Sequence, residues 1–185
     1  MDVHYVRADA SGVSFTMSIR SYRDSDFQAI LDIYSSTKLD ELRFEAGDFE
    51  IIPLDKDQIR FQKFFDSDVY VYDTGNVIAY CALNESNIEA IYVLAEFRRT
   101  GIAKKLLEFL LAKTEDDVSL NVAKHNLPAK KLYQKYGFEV ENEFSTSYNG
   151  VKAVATKMVR KKMTKKFKNK NAVSGTGARK DAGPF

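Results

Sequence analysis

Apolar positions along the chain switch between a period near 3.6 and a period of two, and the switches outline an ordered series of elements. Phe27, Ile30, Leu31 and Tyr34 carry helical spacing over residues 24–37. Asp55 followed by Gln58 reads as a capping box that opens a second helix toward Phe64 and Phe65. Residues 69–72 and 77–83 are β-branched or aromatic runs around Asp73-Thr74-Gly75-Asn76, a hairpin turn by composition. A second turn at 84–87 leads into a strand over 88–93. Residues 104–113 space leucines and Phe109 at three and four with lysines between them, which predicts an amphipathic helix. Residues 118–122 alternate as a strand, and Asn126 then stands as N-cap before Pro128, with Ala129, Leu132, Tyr133 and Tyr136 on one helical face. Gly137 ends that helix in a left-handed cap, and residues 139–144 and 151–159 form a closing antiparallel pair. The series predicts an α/β (α+β) chain: a mixed, mainly antiparallel sheet with helices on both faces.

Composition narrows the class. At 185 residues with 44% hydrophobic and 12% aromatic content, the chain can bury one sizeable core. It holds no apolar run near the roughly 20 residues that cross a bilayer. Cys81 is its only cysteine and lies in a strand-like run, so an intramolecular disulfide is excluded and a buried thiol is expected. No secretory leader is visible at the N-terminus, and a cytoplasmic location without membrane attachment is the expectation.

The chemistry concentrates between residues 88 and 140. Arg98-Arg99-Thr100-Gly101-Ile102-Ala103-Lys104 joins the strand to the helix. The small residues Gly101 and Ala103 let a ligand approach the backbone, the first-turn N–H groups lack internal partners, and the helix dipole favours an anion there. A pyrophosphate fits this description, although the turn has neither the Lys-Ser/Thr of a P-loop nor three glycines. A loop with solvated arginines before a surface helix is the structural alternative. Tyr133 is a phenol that stays protonated at neutral pH, and Glu89 shares a strand face with Ile91 and Val93. Each also has a plain reading, a core tyrosine and an exposed strand carboxylate.

Strand, Arg98-x-x-Gly101-x-Ala103, helix, strand, then Asn126-x-x-Ala129-x-x-Leu132-Tyr133-x-x-Tyr136-Gly137-Phe138 resembles the GNAT superfamily of acetyl-CoA-dependent N-acetyltransferases. Residues 18–27 are similar to the first strand and helix of that fold, so the resemblance covers about 17–160. It implies one acetyltransferase domain over 17–160, a six- to seven-stranded sheet with about four helices, an N-terminal extension at 1–16 and a basic tail at 161–185. It also implies that acetyl-CoA is the cosubstrate and that a small-molecule or peptide amine is the acceptor. In such a site the amides of Arg99, Thr100, Gly101, Ile102, Ala103 and Lys104 would cradle the CoA pyrophosphate beside Arg98. Ile91, Tyr92 and Val93 would pair with the pantetheine arm, and Asn126 would touch it. Tyr133 would protonate the departing thiolate, and Glu89 or a bound water would serve as base. Asn121 stands where some relatives carry glutamate and cannot take a proton. His125 is a further candidate base with a suitable reference pKa, expected instead to be a solvent-facing residue at the helix start.

Charge is unevenly placed. Residues 157–185 hold ten Lys/Arg against one acid, which leaves 18 basic against 25 acidic residues before them. Asp40, Glu41, Glu45, Asp48, Glu50, Asp55 and Asp57 fall in the segment that walls the acceptor cleft in this family, where an anionic surface would attract a cationic amine. Eight Lys/Arg within 157–170 provide a counterion-driven contact for RNA, and the bland alternative is a flexible solvated tail. An acetyltransferase acting on a ribosomal protein or aminoacyl-tRNA, and a CoA-binding sensor without turnover, stay open beside the amine-acetylating enzyme. Either a monomer or a homodimer built on an exposed final strand fits the pattern.

Overall fold

The computed structural model describes residues 2–8 and 14–162. The chain runs β1 (Val3–Ala8), β2 (Ser14–Ser21), α1 (Phe27–Thr37), α2 (Gln58–Phe65), β3 (Asp68–Asp73), β4 (Val77–Asn84), β5 (Asn87–Val93), α3 (Ile102–Leu111), β6 (Val118–Ala123), α4 (Leu127–Lys135), β7 (Glu139–Tyr148) and β8 (Val151–Arg160). The strands form one sheet in the order β1-β2-β3-β4-β5-β6-β8-β7, antiparallel except for β5 with β6. The sheet has eight strands where six to seven were expected. The addition is β1, which pairs Val3 with Ile19 through Ala8 with Ser14.

Alternation along the central strands separates two cores. Ala79, Cys81 and Leu83 of β4 pack with Ile102, Leu106, Leu107 and Leu110 of α3, whereas Tyr80 and Ala82 pack with Ile30, Ile33 and Tyr34 of α1 and Phe64 of α2. The two helix sets therefore cover opposite faces. Cys81 is fully buried and its thiol is pushed up by desolvation, which makes it a core residue and a poor nucleophile.

Two sequence expectations shift in detail. The cap of α2 is Asp57, whose Oδ1 accepts from the Arg60 amide at 3.1 Å, so the helix opens two residues beyond the Asp55 capping box. The strand at the sheet edge is β7, because β8 inserts between β6 and β7. Val140 and Phe144 are exposed on that edge. Of the basic segment, Lys157 pairs with Glu141 at 2.7 Å and Lys161 with Asp117 at 2.9 Å. The part of the tail from 163 onward lies outside the described residues. Among the described residues no helix is long and apolar enough to cross a membrane.

Arg20 fastens the start of the domain. Its guanidinium donates to both oxygens of Asp26 at 2.7 and 2.8 Å, and its Nε to Asp73 at 2.9 Å, tying β2 to the turn before α1 and to the β3–β4 hairpin. Asp26 is buried, and its hydrogen bonds from Arg20 hold its carboxyl below the usual carboxylate range. Arg20→Met strands that carboxylate, so urea unfolding is expected to show a loss of about 3–5 kcal/mol at pH 7. Because the folded pKa is depressed, this contribution is present above the unfolded carboxylate pKa and is lost as pH falls through the folded one. The gap between Arg20→Met and the wild type should therefore narrow in acid.

Candidate active site

The site is built where β5 and β6 part. Their parallel pairing spans only Asn87 with Ser119 and Ile88 with Leu120, and the Ser119 hydroxyl donates to Asn87 Oδ1 at 2.9 Å at the closed end. Beyond it β5 stays on β4 through Val93 while β6 turns to β8, so a wedge opens between them. The Leu94 amide donates to the Ile78 carbonyl at 3.1 Å, which sets the antiparallel alternation. That alternation directs the backbone groups of Ile91 and Val93 into the wedge and those of Tyr92 toward β4. The Val93 carbonyl accepts from Arg98 Nε at 3.1 Å.

At the mouth of the wedge the chain turns into α3. Arg99 has φ 62° and Gly101 φ 89°, both left-handed. The Thr100 hydroxyl donates to the Phe97 carbonyl at 2.5 Å. The first helical bond runs from the Lys105 amide to the Gly101 carbonyl, so the N–H groups of Ile102, Ala103 and Lys104 precede the ladder. A Cβ on Gly101 would meet nothing within 4 Å, which means open space beside this turn. Arg98 leans away from the turn and pairs with Asp40 at 2.6 Å. Arg99, Thr100 and Lys104 are exposed.

On the other side of the wedge, Asn126 Oδ1 accepts from the Ala129 amide at 3.3 Å and caps α4. Ala129, Leu132, Tyr133 and Tyr136 pack against the core together, and Tyr136 donates to Glu108 of α3 at 2.7 Å. The Tyr133 ring lies 5.8 Å from that of Phe138, which follows the left-handed Gly137. Burial first, and the Glu41 charge second, push the Tyr133 phenol well above its ordinary value. The phenol therefore stays protonated through the neutral range.

Two carboxylates reach the cavity below the wedge. Glu89 receives Lys63 Nζ at 3.0 Å on one oxygen and Asn87 Nδ2 at 2.6 Å on the other. Glu41, in the turn after α1, pairs with Lys38 and accepts from the Tyr92 hydroxyl at 3.3 Å. Sequence reasoning placed Glu41 in an acidic stretch and did not single it out. It lies 51 residues from Tyr92, and no local pattern brings the two together. Asn121 also lines the cavity. His125 is exposed at the start of α4 as expected, but both its amide and its Nδ1 meet Glu45, at 2.8 and 2.9 Å.

The cavity holds about 470 Å³, within the range of a small-molecule site. Its charge departs from the anionic wall expected of the acidic stretch. Of those seven acids only Glu41 lines it; Asp40 pairs with Arg98, Glu45 with His125, Asp55 with Lys56 and Asp57 with Arg60. Lys38, Arg60 and Lys63 line it as well, among the rings of Tyr34, Tyr80, Tyr92 and Tyr148.

The family model for the acetyltransferase (GNAT) family matches residues 27–138. Among solved structures, the chain is similar to an N-acetyltransferase from Staphylococcus aureus Mu50, at 22% identity and TM-score 0.58 over 77% of this chain and 96% of that one. It is similar to a phosphinothricin acetyltransferase from Sinorhizobium meliloti in complex with acetyl-CoA, at 19% identity and TM-score 0.60 over 78% and 88%. The ribosomal-protein-S18-alanine N-acetyltransferase from Escherichia coli aligns at 19% identity and TM-score 0.58 over 79% and 94%. Likeness at these identities is likeness of fold. No curated protein matches the sequence.

Proposed function

The chain belongs to the GNAT family of acetyltransferases, and on that premise we propose that it transfers an acetyl group from acetyl-CoA to a primary amine of a small molecule or peptide, by direct attack with both bound. The observation that carries this reading is the wedge between β5 and β6, with unpaired helix amides at its mouth and a cavity of about 470 Å³ beneath it. The residues present fit the cosubstrate. Open space beside Gly101 and the N–H groups of Ile102, Ala103 and Lys104 suit a pyrophosphate, with Arg99 and Thr100 flanking it. The inward backbone groups of Ile91 and Val93 suit an extended amide-bearing arm. Arg98, held on Asp40 and the Val93 carbonyl, would have to release that carbonyl for the arm to use it.

Bound acetyl-CoA supplies the activated thioester, and the chain supplies proton transfer and position. Tyr133 donates its Oη proton toward the departing sulfur, a task favoured by a phenol kept protonated. A carboxylate takes the proton from the incoming ammonium. Glu89 is one candidate, and Glu41 is the second, favoured because its charge reaches Tyr133 and the acid and base must flank one reacting carbonyl. Glu41→Gln is expected to lower kcat/KM at pH 7 by about 10²-fold, and Glu89→Gln by less than about tenfold. Paired pH–rate profiles check this, since the base variant also loses the acid limb. The reverse order returns the base to Glu89.

A further inference from the structure

Tyr34 lies on the face of α1 that meets the sheet, and its hydroxyl is out of place there. The residue is 2% exposed, its ring packs on Tyr92 at 5.9 Å, and its hydroxyl, beside that of Tyr148, makes no well-formed hydrogen bond among the described residues. A buried hydroxyl without a well-formed bond is unfavourable, and a polar guest that reaches it would relieve that cost. The hydroxyl belongs to a side chain lining the 470 Å³ cavity.

Two neighbours in the same lining are also donors. Arg60 lies with its guanidinium 4.6 Å from the centroid of the Tyr148 ring, and a single nitrogen of it, Nη1, bonds Asp57 at 2.7 Å. A guanidinium carries five N–H groups and no lone pair, and the others have no partner among the described residues. The Tyr148 hydroxyl accepts from the Ile52 amide at 3.0 Å, which leaves its own proton to give. Lys38 Nζ stands 5.4 Å from the same Tyr148 ring and adds positive potential. Asp57 and the stacked ring hold the Arg60 plane in place.

We infer that the acceptor carries a carboxylate as well as its amine, and that Arg60, Tyr34 and Tyr148 bind that carboxylate in the cavity. This rests on the acetyl-transfer reading above and names its substrate class: amino acids or short peptides with a free carboxyl end. A polyamine would set a second ammonium against Arg60 and Lys38. The charge of the guest follows from the charges already present. Asp57 offsets part of the Arg60 charge and Glu41 part of the Lys38 charge, so the subsite suits a monoanion rather than a doubly charged phosphate. The planar guanidinium matches a carboxylate in shape as well as sign. Glu41 and Glu89, against and on β5, supply the lone pairs that the ammonium end requires.

The test is run on the full chain saturated with CoA. Each amino acid of a panel of α- and ω-amino acids and dipeptides is compared with its own carboxamide, by calorimetric binding and, with acetyl-CoA, by thiol release. At least one acid is expected to bind about 10- to 100-fold tighter than its amide, the size of a hydrogen-bonded charge. That preference should shrink to about threefold or less in Arg60→Gln and in Tyr34→Phe. The second variant deletes only that hydroxyl and keeps the core ring, so it tests the subsite even where Arg60→Gln fails to fold. Equal binding of acid and amide throughout the panel, no binding by either, or a preference that survives Tyr34→Phe and Arg60→Gln overturns the subsite. Discrimination between acid and amide without any thiol release upholds the subsite and removes the acetyl-transfer reading instead.

Discussion

Tyr133→Phe is expected to lower kcat for acetyl transfer by about 10²–10⁴-fold while leaving CoA affinity within about threefold of the wild type. The substitution removes one oxygen and one proton. The ring stays packed against Phe138 and the α4 face stays on the core, so neither fold nor cosubstrate site is disturbed. What disappears is the proposed donor to the departing sulfur. Burial and Glu41 push the phenol well above its ordinary value, so the wild-type rate should not fall through Tyr133 ionisation up to about pH 9. The residual rate of the variant should be restored in part by acetyl thioesters with a better leaving group, since these need less protonation. Unchanged turnover in Tyr133→Phe would make Tyr133 a packing residue only.

Gly101→Val should act on binding instead of chemistry. A β-branched residue at φ 89° is strained by roughly 1–3 kcal/mol, and relief requires the turn to rotate the N–H groups proposed to hold the pyrophosphate. A Cβ there meets nothing within 4 Å, so no core clash is introduced. The Kd for CoA is expected to rise about 10- to 100-fold, with kcat at saturating acetyl-CoA falling far less. Gly75→Val is the matched control. Gly75 has φ 96° in the β3–β4 turn and likewise no neighbour within 4 Å, so it carries comparable strain away from the wedge. Equal CoA affinity in the two variants would detach Gly101 from cosubstrate binding.

Local chemistry made most of the architecture legible. Asp73-Thr74-Gly75-Asn76 marks the β3–β4 turn, the leucine spacing marks α3, and Asn126 with Gly137 brackets α4. Each of these signals acts within a few residues. Three features that the sequence left undetermined depend on distance along the chain. The place of β8 between β6 and β7 is a choice of which hairpin strand meets β6, and both strands alternate. Strand β1 exists through its pairing with β2 rather than through a pattern of its own. Glu41 joins the site because the turn after α1 folds onto Tyr92, and Tyr34, Arg60 and Tyr148 meet from three separate elements. The acidic stretch misled for a related reason. Counting its charges overlooks Lys38, Lys56, Arg60 and Arg98, which pair with Glu41, Asp55, Asp57 and Asp40 in the folded chain.

The central claim is that Tyr133 and the β5–β6 wedge serve acetyl transfer to an amine. Its most direct measurement is thiol release from acetyl-CoA by the full chain, with mass spectrometry of the acceptor, against amino acids, peptides, polyamines and aminoglycosides, with Tyr133→Phe in parallel. The account predicts release that scales with one acceptor class, an acceptor heavier by one acetyl group on its amine, and loss of both in Tyr133→Phe. Calorimetric binding of CoA with no thiol release and no acetylated product from any of these acceptors would contradict it and leave a CoA-binding protein without this chemistry.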